Sequence, residues 1–175
     1  MNVKVIAVGS PFGTDRVAWL ALGLLQQAYA NQEVHCEFIQ LDRPGVGLLG
    51  YFENSDVVVV MDACLSTQHP LGSILRFDAR ELVSPHQALS SHSVELGASL
   101  TLAEALGMLP KHCRVIAIVV DESAQLPSDH DVQCLARATR ETLEQLTAEC
   151  LIDLKGVFLK WLRLRYSLNL NNSVD

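Results

Sequence analysis

The run Val57-Val58-Val59-Val60-Met61 constrains this chain more than any other segment. Five consecutive apolar, mostly β-branched residues have no polar face to turn to water, so a strand made from them must be covered on both sides. A central strand of a parallel sheet between two layers of helices meets that requirement. Residues 3–8, 34–41, 72–77 and 115–120 read as further strands. Segments of helical period lie between and after them: one from Asp15 onward, in which Val17, Leu20, Leu24, Leu25 and Ala28 recur, then 96–109, then 132 to about 150. Thr14 or Asp15 is placed to cap the first helix, and 45–52 reads as a short helix or turn. The alternation predicts an α/β fold, a three-layer sandwich whose twisted five-stranded sheet is mostly parallel and carries helices on both faces.

At 175 residues the chain has enough length for one packed domain and not for two of ordinary size. A net charge of −7 argues against a nucleic-acid partner, because binding a phosphate backbone needs clustered Lys and Arg. No stretch approaches the ~20 apolar residues of a membrane span. The start, Met1-Asn2-Val3-Lys4, enters a strand directly without the features of a secretory signal, which predicts a cytoplasmic protein. Cys36, Cys64, Cys113, Cys134 and Cys150 show no metal-type spacing and read as reduced thiols, several of them small core residues.

Residues 151–175 differ in composition. Lys155, Lys160, Arg163 and Arg165 make them basic within an acidic protein. Phe158, Trp161, Leu162 and Arg165 fit a helix face, whereas Leu162, Leu164, Tyr166, Leu168 and Leu170 alternate as a strand would. A helix to about Arg165 with an extended end is the favoured reading, dividing the chain into a single domain over 1–150 and a basic amphipathic extension over 151–175. Such an extension can dock on a membrane surface or a partner, but the expectation is that it covers its own core.

In an open parallel sheet, ligands collect beyond the carboxyl ends of the strands. The residues there are 10–16 after the first strand, Asp42 after the second, Asp62 after the third, and Asp121-Glu122 after the fifth. Any one of these carboxylates can simply cap a helix or satisfy loop N–H groups, so their convergence is what points to a site. Asp62 stands out, since a carboxylate at the mouth of an apolar strand is unfavourable unless a cation or donor accompanies it. His92, in a loop ahead of a Leu-rich helix, can join carboxylates on a divalent ion with open coordination positions. His86 is a second loop imidazole with no assigned role, and Asp129, His130 and Asp131 read as a loop and helix start. The glycine-containing turn at 9–15 has neither a phosphate-loop lysine nor a dinucleotide pattern, and there is no nucleophile elbow, so no nucleotide cofactor is expected.

Taken together, these positions resemble the hydrogenase maturation endopeptidases over roughly residues 3–149. The resemblance rests on Val8-Gly9-Ser10-Pro11 through Asp15, the loop from Asp42 to Leu49, Val60-Met61-Asp62-Ala63, and Ser91-His92 before a Leu- and Ala-rich helix. It implies an endopeptidase, classed with the aspartyl proteases, that removes the C-terminal extension of a nickel-iron hydrogenase large-subunit precursor after metal insertion. Asp15, Asp62 and His92 are the implied metal ligands and Asp62 and Asp15 the implied catalytic carboxylates. The divalent ion, nickel, is supplied by the substrate, and Gly9, Ser10, Asp42 and Gly45 contact the precursor. Two departures from the family pattern stand out. Ser10 replaces an Asn, and Arg16 occupies the second of two consecutive acidic positions, the usual ligand. Either Asp15 takes over ligation or Arg16 lowers cation affinity. Asp42-Arg43-Pro44-Gly45 also stands where Asp-Gly-Gly-Thr is usual, and Pro44 stiffens what glycine leaves free. A non-proteolytic assembly factor that binds the precursor or its metal is the alternative. A nucleotide-binding regulatory domain fits the sheet but lacks the phosphate-loop residues.

Overall fold

The computed structural model describes residues 1–30, 36–83, 91–124 and 126–170, with 91–94, 158 and 160–170 described in backbone only. Strands β1 (Val3–Gly9), β2 (Cys36–Asp42), β3 (Val57–Cys64), β4 (Ile74–Asp78) and β5 (His112–Val119) form one sheet in the order β2-β1-β3-β5-β4. β1, β2, β3 and β5 run parallel, and β4 closes one edge antiparallel to β5. Helices α1 (Val17–Tyr29) and α3 (Asp129–Leu170) lie on one face, and α2 (Ser91–Ala105) with the 3-10 turn Gly45–Tyr51 on the other. The predicted α/β sandwich is the observed fold.

The apolar run explains why. Every residue of β3 is buried. Val57, Val59 and Met61 pack with Val17, Ala21, Leu135 and Leu146 beneath α1 and α3, while Val58 and Val60 pack with Ile6, Leu48 and Leu100 on the other side. Strand alternation thus feeds two separate cores from one uninterrupted apolar run. Cys64, Cys113 and Cys150 are buried and all five cysteines are free, in line with the reading of small core residues.

Several expected boundaries shift. β3 continues past Met61 to Cys64, because β5 goes on supplying a paired neighbour as far as Val119. Asp62 therefore lies inside the strand and not after it. α2 begins at Ser91 and ends at Ala105, against the expected 96–109, which puts His92 in a helical turn instead of a loop. On α1 the buried residues are Val17, Ala18, Ala21, Leu22 and Leu25, whereas Leu20 and Leu24 are exposed. The alanines let the helix approach the sheet closely. Thr14 and Asp15 make no capping bond; a 3-10 turn (Gly13–Arg16) precedes α1, and the Thr14 hydroxyl donates to the Asp121 carbonyl at 3.2 Å. The expected start of β2 at residues 34–35 lies outside the described residues.

The C-terminal expectation changes most. α3 passes position 150 without a break and runs for 42 residues, about 63 Å at 1.5 Å per residue, against about 26 Å for the eight residues of β5. Leu146 and Cys150 are its last buried apolar residues among the described side chains. Asp153 then accepts hydrogen bonds from Lys111 at 2.6 Å and pairs with His112 at 3.1 Å, at the first residue of β5. Beyond that point the helix has run out of sheet to cover. Leu154, Val157 and Leu159 are exposed, so the described part of this segment does not cover the core. No helix among the described residues is long and apolar enough to cross a membrane.

This geometry divides α3 energetically. Leu146→Ala, at a residue 1% exposed, is expected to lower stability by about 2–5 kcal/mol in a urea titration. Ile152→Ala and Val157→Ala, at residues 68% exposed, are expected to stay within about 0.5 kcal/mol of the parent. A loss above 1 kcal/mol at either would show that the projecting half is covered.

Candidate functional site

The chain steps outward from β1 to β2, then returns past β1 to β3 and builds the other half of the sheet. Between β1 and β3 successive connections leave in opposite directions, which opens a crevice at the carboxyl ends. The register shows where. β1 pairs with β3 only as far as Ala7 opposite Met61, while β1 stays with β2 to Gly9 and β3 stays with β5 to Cys64. Past Met61 the two central strands part, and Asp62 is the first residue of β3 without a β1 partner.

Asp62 is 3% exposed, and its Oδ1 accepts a hydrogen bond from the Ala63 N–H at 2.8 Å. Burial pushes its carboxyl up to about 8; the Ala63 bond works against the rise and the nearby charge of Asp15 adds to it. The side chain lines a cavity of about 20 Å³, room for roughly one water or small ion. Asp15 lines the same cavity, carried there by the 3-10 turn after β1. Its neighbour Arg16 is not among the residues lining this cavity, so of the two consecutive positions it is Asp15 that faces Asp62.

Gly9 allows that approach. A Cβ at this position would stand 2.4 Å from the Asp15 carbonyl oxygen, closer than any side chain tolerates. Gly45 closes the other wall with φ +50°, a conformation that favours glycine. Between them, Arg43 adopts φ +41° and is held by two bonds: its N–H donates to the Gly9 carbonyl at 3.1 Å, and its Nε donates to Asp42 Oδ1 at 2.8 Å. Its guanidinium is held charged chiefly by Asp42 and to a lesser degree by Asp15 and Glu95, and Arg43 is one of the residues lining the cavity.

The structure therefore gathers Asp15, Asp62, Gly9 and Gly45 from the expected set. Ser10 and Asp42 do not line the cavity. The buried Ser10 hydroxyl instead accepts from the Phe12 N–H at 3.3 Å and shapes the turn, and Asp42 acts through Arg43. Position 92 stands one helical turn before Glu95 and Leu96, both of which line the cavity, but the His92 side chain and all of His86 lie outside the described residues. Asp121 accepts from the Ser123 N–H at 2.9 Å and its hydroxyl at 2.7 Å, and so serves its own loop. Glu95 and Arg43 are site residues that the expected set omitted. Glu95 was recoverable from its spacing of three residues after His92; Arg43 had no local signal beyond following the second strand.

Asp15, Asp62 and Glu95 place three carboxylates around an ion-sized space, a donor chemistry that suits a small divalent cation. Among the described residues no three His, Cys, Asp or Glu side chains cluster to hold a metal by themselves. Asp15 and Asp62 could hold such an ion only with further donors.

Two outcomes test this geometry. Folded Asp62 releases its proton near pH 8 and the unfolded chain near 3.8, so folding takes up a proton between those values and stability falls as pH rises through the window. Asp62→Asn removes that dependence: its Tm is expected to match the parent near pH 4 and to exceed it by several degrees at pH 8. Parallel Tm curves would contradict the buried acid. Gly9→Ala forces the Asp15 turn away from β1 and is expected to destabilise by about 1–3 kcal/mol in the same melts.

Comparison with known proteins places this geometry. No curated protein matches the chain. Among solved structures, the hydrogenase maturating endopeptidase HybD from E. coli superposes with TM-score 0.67 at 20% identity, over 85% of this chain and 94% of that one. The [NiFe] hydrogenase maturation protease HybD from Thermococcus kodakarensis gives TM-score 0.60 at 22% identity, over 83% and 99%. At these identities the likeness establishes the fold. A family model described as hydrogenase maturation protease matches residues 22–133, nearly two thirds of the sequence and inclusive of Asp62 and His92. The chain belongs to the hydrogenase maturation protease family.

Proposed function

We propose that this protein is an endopeptidase that removes the C-terminal extension of a nickel-iron hydrogenase large-subunit precursor after metal insertion, and that it works in the cytoplasm. The observation that carries the reading is the meeting of Asp15 and Asp62 in one ion-sized cavity where β1 and β3 part, in a chain of this family. Residues 1–150 form the processing domain and 151–175 an extension to it.

The substrate brings the cation. Asp15 and Asp62, with His92 as third ligand, hold the nickel already seated in the precursor, and Gly9 and Gly45 let the precursor backbone come close. The ion supplies a positive charge that polarises the neighbouring peptide carbonyl. Burial keeps Asp62 protonated when no cation is beside it, and a bound cation would favour its carboxylate form, the proton passing to solvent. One of the two carboxylates then orients a water and takes its proton as the oxygen attacks the carbonyl carbon. The C–N bond breaks, and the proton passes to the departing amine. The chemistry is thus of the aspartyl type, with recognition through the metal.

The second reading, a non-proteolytic assembly factor, draws on one observation. Arg43 lines the cavity beside Asp15 and Glu95, where a fixed positive charge disfavours a cation. The two readings differ in the mass of the product. Intact-mass analysis of a co-expressed, nickel-loaded large-subunit precursor is expected to show a shortened chain. Asp62→Ala, Asp15→Ala and His92→Ala are each expected to slow trimming by 100-fold or more. Undiminished trimming by Asp62→Ala and His92→Ala would remove the proposed site, and a stable complex of unchanged mass would favour the assembly factor.

A further inference from the structure

A second cavity opens on the other side of Asp15. It holds about 200 Å³ on the measure that gives about 20 Å³ for the first, a tenfold difference. Its walls come from the ends of two strands and the turn after β1: Ala63, Cys64 and Leu65 from the end of β3, Val120 after β5, and Phe12 with Thr14. Ala63, Cys64 and Val120 are buried, so the floor is apolar and rigid. Cys64 is a buried free thiol and behaves here as a small apolar wall residue. Asp15 is common to both cavities.

Phe12 is the unusual member. It is 72% exposed, although a ring of that size is ordinarily buried. Its position is built: the Ser10 hydroxyl accepts its N–H at 3.3 Å and donates to its carbonyl at 3.3 Å, and Gly13 follows at φ +57° to turn the chain. The turn thus holds an aromatic ring at the rim of an apolar hollow, where it has no part in the core.

The two cavities divide a binding task by size and polarity. The first admits an ion or a water and is too small for any side chain. The second takes a side chain and, apart from Asp15 and the rim residue Glu122, offers it no charged partner. From the shared wall at Asp15, the geometry points to the larger cavity as the subsite that seats one large apolar side chain of the precursor, next to the bond to be cleaved, with Phe12 closing over it. This inference rests on the processing reading and adds the substrate determinant that the carboxylates do not provide. An ion alone marks a precursor as loaded. An apolar side chain seated against Ala63, Cys64 and Leu65, past the point where β1 and β3 part, fixes which peptide bond lies beside Asp15.

The test uses the full-length protein and the nickel-loaded precursor. Phe12→Ala changes a surface residue, so the fold is retained and a thermal melt confirms it. It is expected to lower kcat/KM for trimming about 10- to 100-fold, mainly through KM, the range expected for losing contact with one buried apolar side chain. Phe12→Leu restores most of the loss. Replacing each apolar precursor residue within three positions of the cleaved bond by Ser, one at a time, locates the occupant. At that position Ser lowers kcat/KM for the parent protein but has little further effect in Phe12→Ala, because the two changes remove the same contact. Trimming by the parent, together with a Phe12→Ala value within twofold or no coupled precursor position, would overturn the subsite and leave the processing reading standing. Failure of the parent to trim would overturn both.

Discussion

The desolvation of Asp62 is the constraint on which the rest of the site depends. A carboxyl group 3% exposed inside a strand of valines is unfavourable as a charge, and the structure keeps it neutral until pH approaches 8. Its position follows from register. If β1 remained paired with β3 for one more residue, Asp62 would be walled in on both flanks; if β3 ended with β1, Asp62 would lie in a solvated loop with an ordinary acidity. The observed compromise leaves it paired on one side and open on the other. The result is a buried acid beside the space it shares with Asp15.

The sandwich was legible in the sequence because its signals are local. An unbroken apolar run must be covered twice, and turn residues must interrupt strands, so the five strands, the first two helices and the start of the third could be placed within a few residues. The errors fall where a partner decides the outcome. β3 extends to Cys64 because β5 supplies hydrogen bonds that the β3 sequence does not announce. Leu20 and Leu24 fit a helical period as well as Ala18 and Ala21 do, but only the small residues permit the approach of α1 to the sheet. Half of the site was legible for the same reason: Asp15 and Asp62 follow runs that identify themselves. Arg43 and Glu95 join it only through the folding of a loop and a helix onto the crevice.

α3 shows the same rule at larger scale. Among the described side chains its buried residues stop at Cys150, and Asp153, one turn on, pairs with Lys111 and His112. Nothing in the helical pattern of the sequence changes at that point, since propensity carries the helix onward whether or not a sheet lies beneath it. An apolar residue at 146 and one at 152 look alike in sequence and differ completely in environment. The length of the sheet, which belongs to other segments, draws the line between them.

The loop after β2 combines two opposing choices of residue. Pro44 sits at φ −66°, the value its ring imposes, and so removes freedom without strain. Arg43, immediately before it, is held at φ +41°, where a residue with a Cβ is disfavoured by about 1–2 kcal/mol. That strain persists because the Arg43 N–H is tied to the end of β1 at Gly9 and its guanidinium to Asp42. A glycine would relieve the strain and would also remove the positive charge from the cavity. The backbone is therefore kept in a conformation suited to glycine while the side chain faces Asp15 and Glu95, so the loop is rigid in shape and specific in charge. A cation in the cavity would feel both the repulsion of this guanidinium and the attraction of Asp15, Asp62 and Glu95, so Arg43 weakens what the carboxylates favour.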